Sequence, residues 1–97
     1  EAGQHLLDWQ KRREPEPTPL SVTYNEANRD PRMKDLYLQY FDTFFDNGGE
    51  MIGIFASIGN YSKWGSWAIK EYLDQPNAEA PKYQAVLEAL QDPDLLK

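Results

Sequence analysis

An α/β chain is the fold class the sequence predicts, and three observations carry it. Residues 31–47 bear an apolar stripe at helical spacing, residues 50–57 form a nearly continuous apolar run of strand length, and two more helical segments follow near 66–73 and 81–91. A short apolar run without alternation suits a parallel strand covered on both faces. Such a strand needs neighbours on both sides, so the chain reads as one segment of a parallel sheet whose other strands come from elsewhere.

Each element has its own signal. The opening "EAGQH" (1–5) reads as the tail of a motif that follows a strand, and residues 6–30 read as one long βα loop. Within it, "HLLDWQKRR" admits a short helix with Leu6, Leu7 and Trp9 inward. The stretch "EPEPTP" (14–19) opposes helix and central strand, because its prolines remove donors and fix φ. Asp30 can cap a helix that starts at Pro31, where a missing N–H is harmless. Met33, Leu36, Tyr37, Tyr40, Phe41, Phe44 and Phe45 then form a wide packing stripe. "DNGG" stops this helix, with Asn47 or Gly48 available for the left-handed turn.

"EMIGIFAS" (50–57) is the expected buried strand, with Gly53 marking a bulge or a close backbone approach. The segment "IGNYSKWG" (58–65) reads as a loop. Ser66 can cap a helix carrying Trp67, Ile69 and Tyr72 to about Leu73. After the break "DQPNAEAP", Pro81 opens the last helix, with Tyr83, Val86, Leu87 and Leu90 on one face, and "DPDLLK" is a terminal tail. The order (β)–loop–α–β–loop–α is that of the repeating units of parallel sheets, (β/α)₈ barrels included.

Composition narrows the function. The 97 residues hold 40 % apolar side chains, with three Trp, six Tyr and four Phe, which points to a folded domain and not to disorder. The net charge is −6, and no basic cluster exceeds Lys11-Arg12-Arg13, so nucleic acid is not an expected partner. Cysteine is absent, which excludes disulfides, thiolate metal sites and cysteine nucleophiles. No apolar run approaches the roughly 18–20 residues of a membrane span.

The combination "DPRMKDLYLQYFDTFFDNGG" (30–49), "EMIGIFAS" (50–57), "YSKWGSWAIKEYLDQ" (61–75) and "PKYQAVLEAL" (81–90), placed behind "EAGQH", resembles the C-terminal quarter of a (β/α)₈-barrel glycoside hydrolase of the large retaining clan. The resemblance covers the chain apart from the Pro/Glu loop. It implies that Glu1 stands at the end of the seventh strand as the catalytic nucleophile, with 50–57 as the eighth strand. It implies a poly- or oligosaccharide substrate, no metal or organic cofactor, a secreted or cell-surface bacterial location, and the remainder of the barrel as structural partner. Retaining glycosidases use two carboxyls about 5–5.5 Å apart, one attacking the anomeric carbon and one protonating the leaving oxygen. The acid/base residue of such enzymes resembles an Asn-Glu pair on an upstream strand. Asn25-Glu26 copies that pair only superficially, since it follows the nucleophile in a loop, and it is not assigned the role. Without the upstream part, the 97 residues are not expected to be active.

The candidate substrate-binding residues are Gln4 and His5 beside the carboxylate and Asn60, Tyr61 and Trp64 on the aromatic loop. Gln4 and His5 can donate to sugar hydroxyls, and a flat indole such as Trp64 stacks on the apolar face of a pyranose. Trp67 reads as core. A zinc site is not expected, because no second histidine or cysteine completes a ligand set. Two other readings stand beside the enzyme. One is a non-catalytic carbohydrate-binding or protein-interaction module using Tyr61, Trp64 and Trp67. The other is an α-rich assembly piece docking through its apolar stripe.

Overall fold

A computed structural model describes residues 1–11 and 13–92. Three α-helices form among them: α1 (Pro19–Arg29), α2 (Arg32–Asp46) and α3 (Pro81–Gln91), the last preceded by a 3₁₀ turn, Asn77–Glu79. The predicted helices at 31–47 and 81–91 are therefore present within a residue of their expected bounds. The terminal tail lies, from residue 93 on, outside the described residues.

The α/β barrel-segment fold is not what forms. Among the described residues no strand or sheet is present, and backbone pairing is confined to isolated bridges: Ala2 with Ile54 and Ile58 with Lys70, both parallel, and Ser62 with Gly65. The run 50–57 is extended but covered on one side. Ile52 and Ile54 pack against the helical core, whereas Met51 is 87 % and Phe55 50 % exposed. A continuous apolar run thus behaves as a one-sided segment, because α2 and α3 cover a single face. The predicted helix at 66–73 is absent as well. Its backbone groups pair sideways with 56–59 instead: Ala56 N–H donates to the Trp67 carbonyl, 3.2 Å, and Ile69 N–H to the Ala56 carbonyl, 2.8 Å.

Helix α1 falls where a long loop was predicted. Thr18 is its cap, with Oγ1 accepting from the Ser21 amide at 3.1 Å and donating to Asp8 Oδ2 at 2.7 Å. Pro19 occupies the first helical position. The proline stretch therefore launches a helix as well as opposing one. The buried positions of α1 are Ser21 and Asn28, and Asn25 on the same face accepts from Ser66 Oγ at 2.6 Å. Its inner face is polar, so hydrophobic periodicity does not reveal it.

Between α1 and α2, Asp30 does cap the next helix, through Oδ1 accepting the Arg32 amide at 2.9 Å. Hydrogen bonds from the Arg32 side chain and backbone hold its carboxyl at about 2, below the usual carboxylate range. The core is Met33, Tyr37 and Phe41 of α2 against Ala85 and Ala89 of α3. The small alanines let the helices approach. Full burial of such large side chains stabilises by about 1.5–3 kcal/mol each. The Lys34–Glu88 ion pair, 2.8 Å long and partly exposed, joins the same helices. Surface pairs of this kind contribute about 0–1 kcal/mol, so apolar packing holds α2 to α3. Leu36 and Tyr40 are about half exposed, which makes the stripe narrower than predicted.

Candidate functional site

The first residues reach the site through one backbone step. Ala2 N–H donates to the Gly53 carbonyl at 2.7 Å, and the Ala2 carbonyl accepts from Phe55 N–H at 3.0 Å. Gly3 then passes so close that a Cβ there would lie 3.3 Å from the Phe55 carbonyl oxygen, with φ at +142°. Gln4 is held at both ends. Its backbone N–H donates to Tyr37 Oη at 3.2 Å, and Nε2 donates to the Ser66 carbonyl at 2.5 Å.

Trp67 arrives from the other side. Gly65 has φ +136°, and a Cβ on it would stand 2.5 Å from the Trp67 ring. Glycine is therefore required for the turn and for the ring behind it. The Trp67 ring meets Phe55 edge-on with centroids 6.2 Å apart, and His5 edge-on at 5.7 Å. The Phe55–Ala56 peptide bond between them is cis.

Together these segments line an open cleft of about 360 Å³, with Glu1, Gln4, His5, Phe55 and Trp67 among its lining residues. Its lining combines two aromatic rings, an imidazole and a carboxylate with the Gln4 amide, whose Oε1 accepts from the Leu6 N–H at 2.8 Å. Glu1 is exposed, so its carboxylate keeps access to solvent and to a ligand.

Behind the cleft lies a buried polar layer. Ser66 and Lys82 are both 0 % exposed. Lys82 Nζ donates to the Ser66 carbonyl at 2.5 Å and faces the rings of Tyr61 at 4.8 Å and Tyr37 at 5.7 Å. Burial pushes the Lys82 amine down to about 7, opposed by the negative charge of Glu71. Glu71 is itself held below its usual value, first by its hydrogen bond from Arg29, a contact of 2.6 Å. Burial raises both Tyr37 and Tyr61.

Of the predicted site residues, Glu1, Gln4 and His5 are brought together. Tyr61, Trp64 and Asn60 do not line this cleft. The Tyr61 hydroxyl is spent on the Ala68 carbonyl, 2.8 Å away. Trp64 projects from the Ser62–Gly65 turn, with Lys63 Nζ 4.8 Å from its ring centroid. Lys63 in turn donates to the Glu14 carbonyl. Asn60 is exposed beside that turn.

Phe55 and Trp67 are the cleft residues that sequence reading placed in the core. The alternation of Ile52, Ile54 and Ala56 against Met51, Phe55 and Ser57 was the available signal for Phe55, and the Gly65-Ser66 step was the signal for Trp67. Among the described residues no group of three His, Cys, Asp or Glu side chains could hold a metal ion, and no helix is long and apolar enough to cross a membrane. No family model matches the chain, and neither a curated protein nor a solved structure matches it.

Proposed function

We propose that this chain supplies the nucleophile and part of the sugar-binding cleft of a retaining glycoside hydrolase acting on poly- or oligosaccharide. One observation carries the reading: Glu1, Gln4 and His5 converge with the Phe55 and Trp67 rings on a single open cleft. The proposal rests on these side chains and not on a barrel. Glu1 attacks the anomeric carbon, forming a glycosyl ester while the departing oxygen takes a proton from a second carboxyl. Water then cleaves the ester, with that second carboxyl now acting as base. Among the described residues Glu1 is the one carboxylate that lines the cleft, so this reading requires an acid/base carboxyl from outside the cleft lining. The glycoside hydrolase resemblance is the ground for proposing a secreted or cell-surface location.

The same lone carboxylate supports a second reading, a saccharide-binding module without chemistry. The two separate in the longest natural form of the protein that contains these residues. An activated 2-deoxy-2-fluoro glycoside should leave a covalent sugar on Glu1, located by peptide mass mapping, and Glu1→Gln should abolish both label and turnover. Saccharide binding with no label and no turnover selects the binding module. No binding of any neutral oligosaccharide, followed by the Trp67 indole resonance, overturns both.

A further inference from the structure

The geometry points to Lys82 as a positioning residue of the Glu1–Trp67 cleft, acting through the Ser66 carbonyl that its amine shares with the side-chain amide of Gln4. This deepens the saccharide reading and rests on it for the nature of the ligand.

The Ser66 carbonyl accepts from Lys82 Nζ and Gln4 Nε2, both at 2.5 Å. A carbonyl has two lone pairs, so this oxygen is filled by these two donors. Gln4 has a second anchor, the Tyr37 hydroxyl that accepts its backbone N–H, and the Tyr37 ring faces the same ammonium at 5.7 Å. Lys82 thus meets two of the three groups that hold Gln4, the third being the Leu6 N–H that donates to its Oε1 at 2.8 Å, and Ser66 is bonded directly to Trp67. One buried cation fixes a polar wall and an aromatic wall of the cleft without entering it.

The charged groups around Lys82 are few. Tyr37 faces it from α2 and Tyr61 from the loop after residue 59. Glu71 acts on it through its charge, and that carboxylate is engaged by Arg29 of α1. On α3, the neighbouring Tyr83 ring is covered by Lys70 at 4.3 Å. The acceptor of the Lys82 hydrogen bond is a neutral carbonyl. Charge-assisted hydrogen bonds to such acceptors are stronger than neutral ones, so loss of the charge loosens the shared oxygen. Burial brings the amine down to about 7, which puts that loosening near neutral pH.

The test uses the ligand-free protein labelled with 13Cε-lysine, followed by NMR from pH 5.5 to 11. His5→Gln serves as background, so that no imidazole beside Trp67 enters the readout. Lys82 should titrate near 7, and the Gln4 side-chain amide and Trp67 indole resonances should move with the same midpoint. Lys82→Met should abolish that movement. Oligosaccharide affinity of the unmodified protein should fall about 10-fold across the transition, the difference between a charge-assisted and a neutral hydrogen bond. A Lys82 that titrates with the exposed lysines overturns the inference. So do Gln4 and Trp67 resonances that stay still while Lys82 titrates. If Lys82→Met does not fold, the titration of the His5→Gln protein still decides. If no saccharide binds, the functional reading falls while the ligand-free titration continues to test Lys82.

Discussion

Gln4 Nε2 and Lys82 Nζ, from opposite ends of the chain, donate to one oxygen, the carbonyl of the buried Ser66, each at 2.5 Å. Either donor alone keeps that oxygen satisfied. Gln4→Ala should therefore cost only about 0.5–1.5 kcal/mol, the usual net value of one hydrogen bond. Removing both donors orphans a buried carbonyl, which costs about 1–3 kcal/mol more. A double-mutant cycle of Gln4→Ala with Lys82→Met, read by urea denaturation, should show that excess as a coupling energy. Strict additivity would mean that the two side chains do not share the oxygen.

The cycle also separates what the sequence disclosed from what it did not. Helices α2 and α3 were legible as elements, from the spacing of Met33, Tyr37 and Phe41 and from Pro81 at a helix start. The buried face of α3, however, is Ala85 and Ala89 and not the expected Tyr83, Val86, Leu87 and Leu90, the last being 71 % exposed. Glu1, Gln4 and His5 were legible as a group, since adjacent residues must come together. Helix α1 was hidden because its inward residues are polar: Ser21 and Asn28 bond backbone within their own turns, at Thr18 and Tyr24, and Asn25 accepts from the distant Ser66. The 66–73 segment was misread for a related reason. Ser66 looks like a cap, yet its hydroxyl donates to Asn25 and its carbonyl receives Gln4 and Lys82. Local propensity yields there to hydrogen bonds that no window of sequence contains. Lys82 looks like a surface residue of a helix start, and burial among Tyr37, Tyr61 and Ser66 becomes visible only in three dimensions.

Stability should depend on pH in a defined sense. The folded Lys82 amine lies near 7, below the ordinary lysine value of 10.5. Between those values the unfolded chain binds the extra proton, so stability rises with pH from about 7 toward 10. Tyr37 and Tyr61 are raised by burial, and their contribution is present below the ordinary tyrosine value and lost as pH climbs past it. Glu71 is lowered by Arg29, so its contribution is present above the ordinary glutamate value and lost on acidification. Urea midpoints should be higher at pH 9 than at pH 6, decline in strong base, and decline again in acid. Lys82→Met should remove the rise between 7 and 9 while leaving the acid limb. A wild-type profile flat from pH 6 to 9 would contradict the buried amine.

Gly65→Ala tests how Trp67 is placed. The new Cβ would sit 2.5 Å from the ring, on a backbone with φ +136°. Strained backbone of that kind costs roughly 1–3 kcal/mol before any steric clash is counted. The variant should melt earlier and should also lose the near-ultraviolet circular dichroism signal of the Trp67–Phe55–His5 contact. Gly53→Ala is the control, because a Cβ there meets nothing within 4 Å. Equal behaviour of the two variants would show that the Gly65 turn does not set the indole.

The aromatic residues provide the sharpest division between the cleft and the neighbouring turn. Phe55 is 50 % exposed and Trp64 51 % exposed, so truncating either removes about half of a large side chain's burial. Both alanine variants should lose a similar, modest amount of stability, about 1 kcal/mol. Their effects on saccharide binding should differ. Phe55 lines the cleft with Glu1 and Trp67, and a ligand-contacting aromatic loses more than about 1 kcal/mol on truncation when it carries binding. Phe55→Ala and Trp67→Ala should therefore weaken oligosaccharide affinity about 5- to 10-fold. Trp64 stands on the Ser62–Gly65 turn with Lys63 against its ring, so Trp64→Ala should leave affinity within about twofold. Isothermal titration with a panel of neutral oligosaccharides reads all three variants. The reverse pattern, loss with Trp64→Ala and none with Phe55→Ala, would move the sugar to the turn. Glu1 would then be away from the ligand, and the chain would be a binding module, not a contributor of the nucleophile.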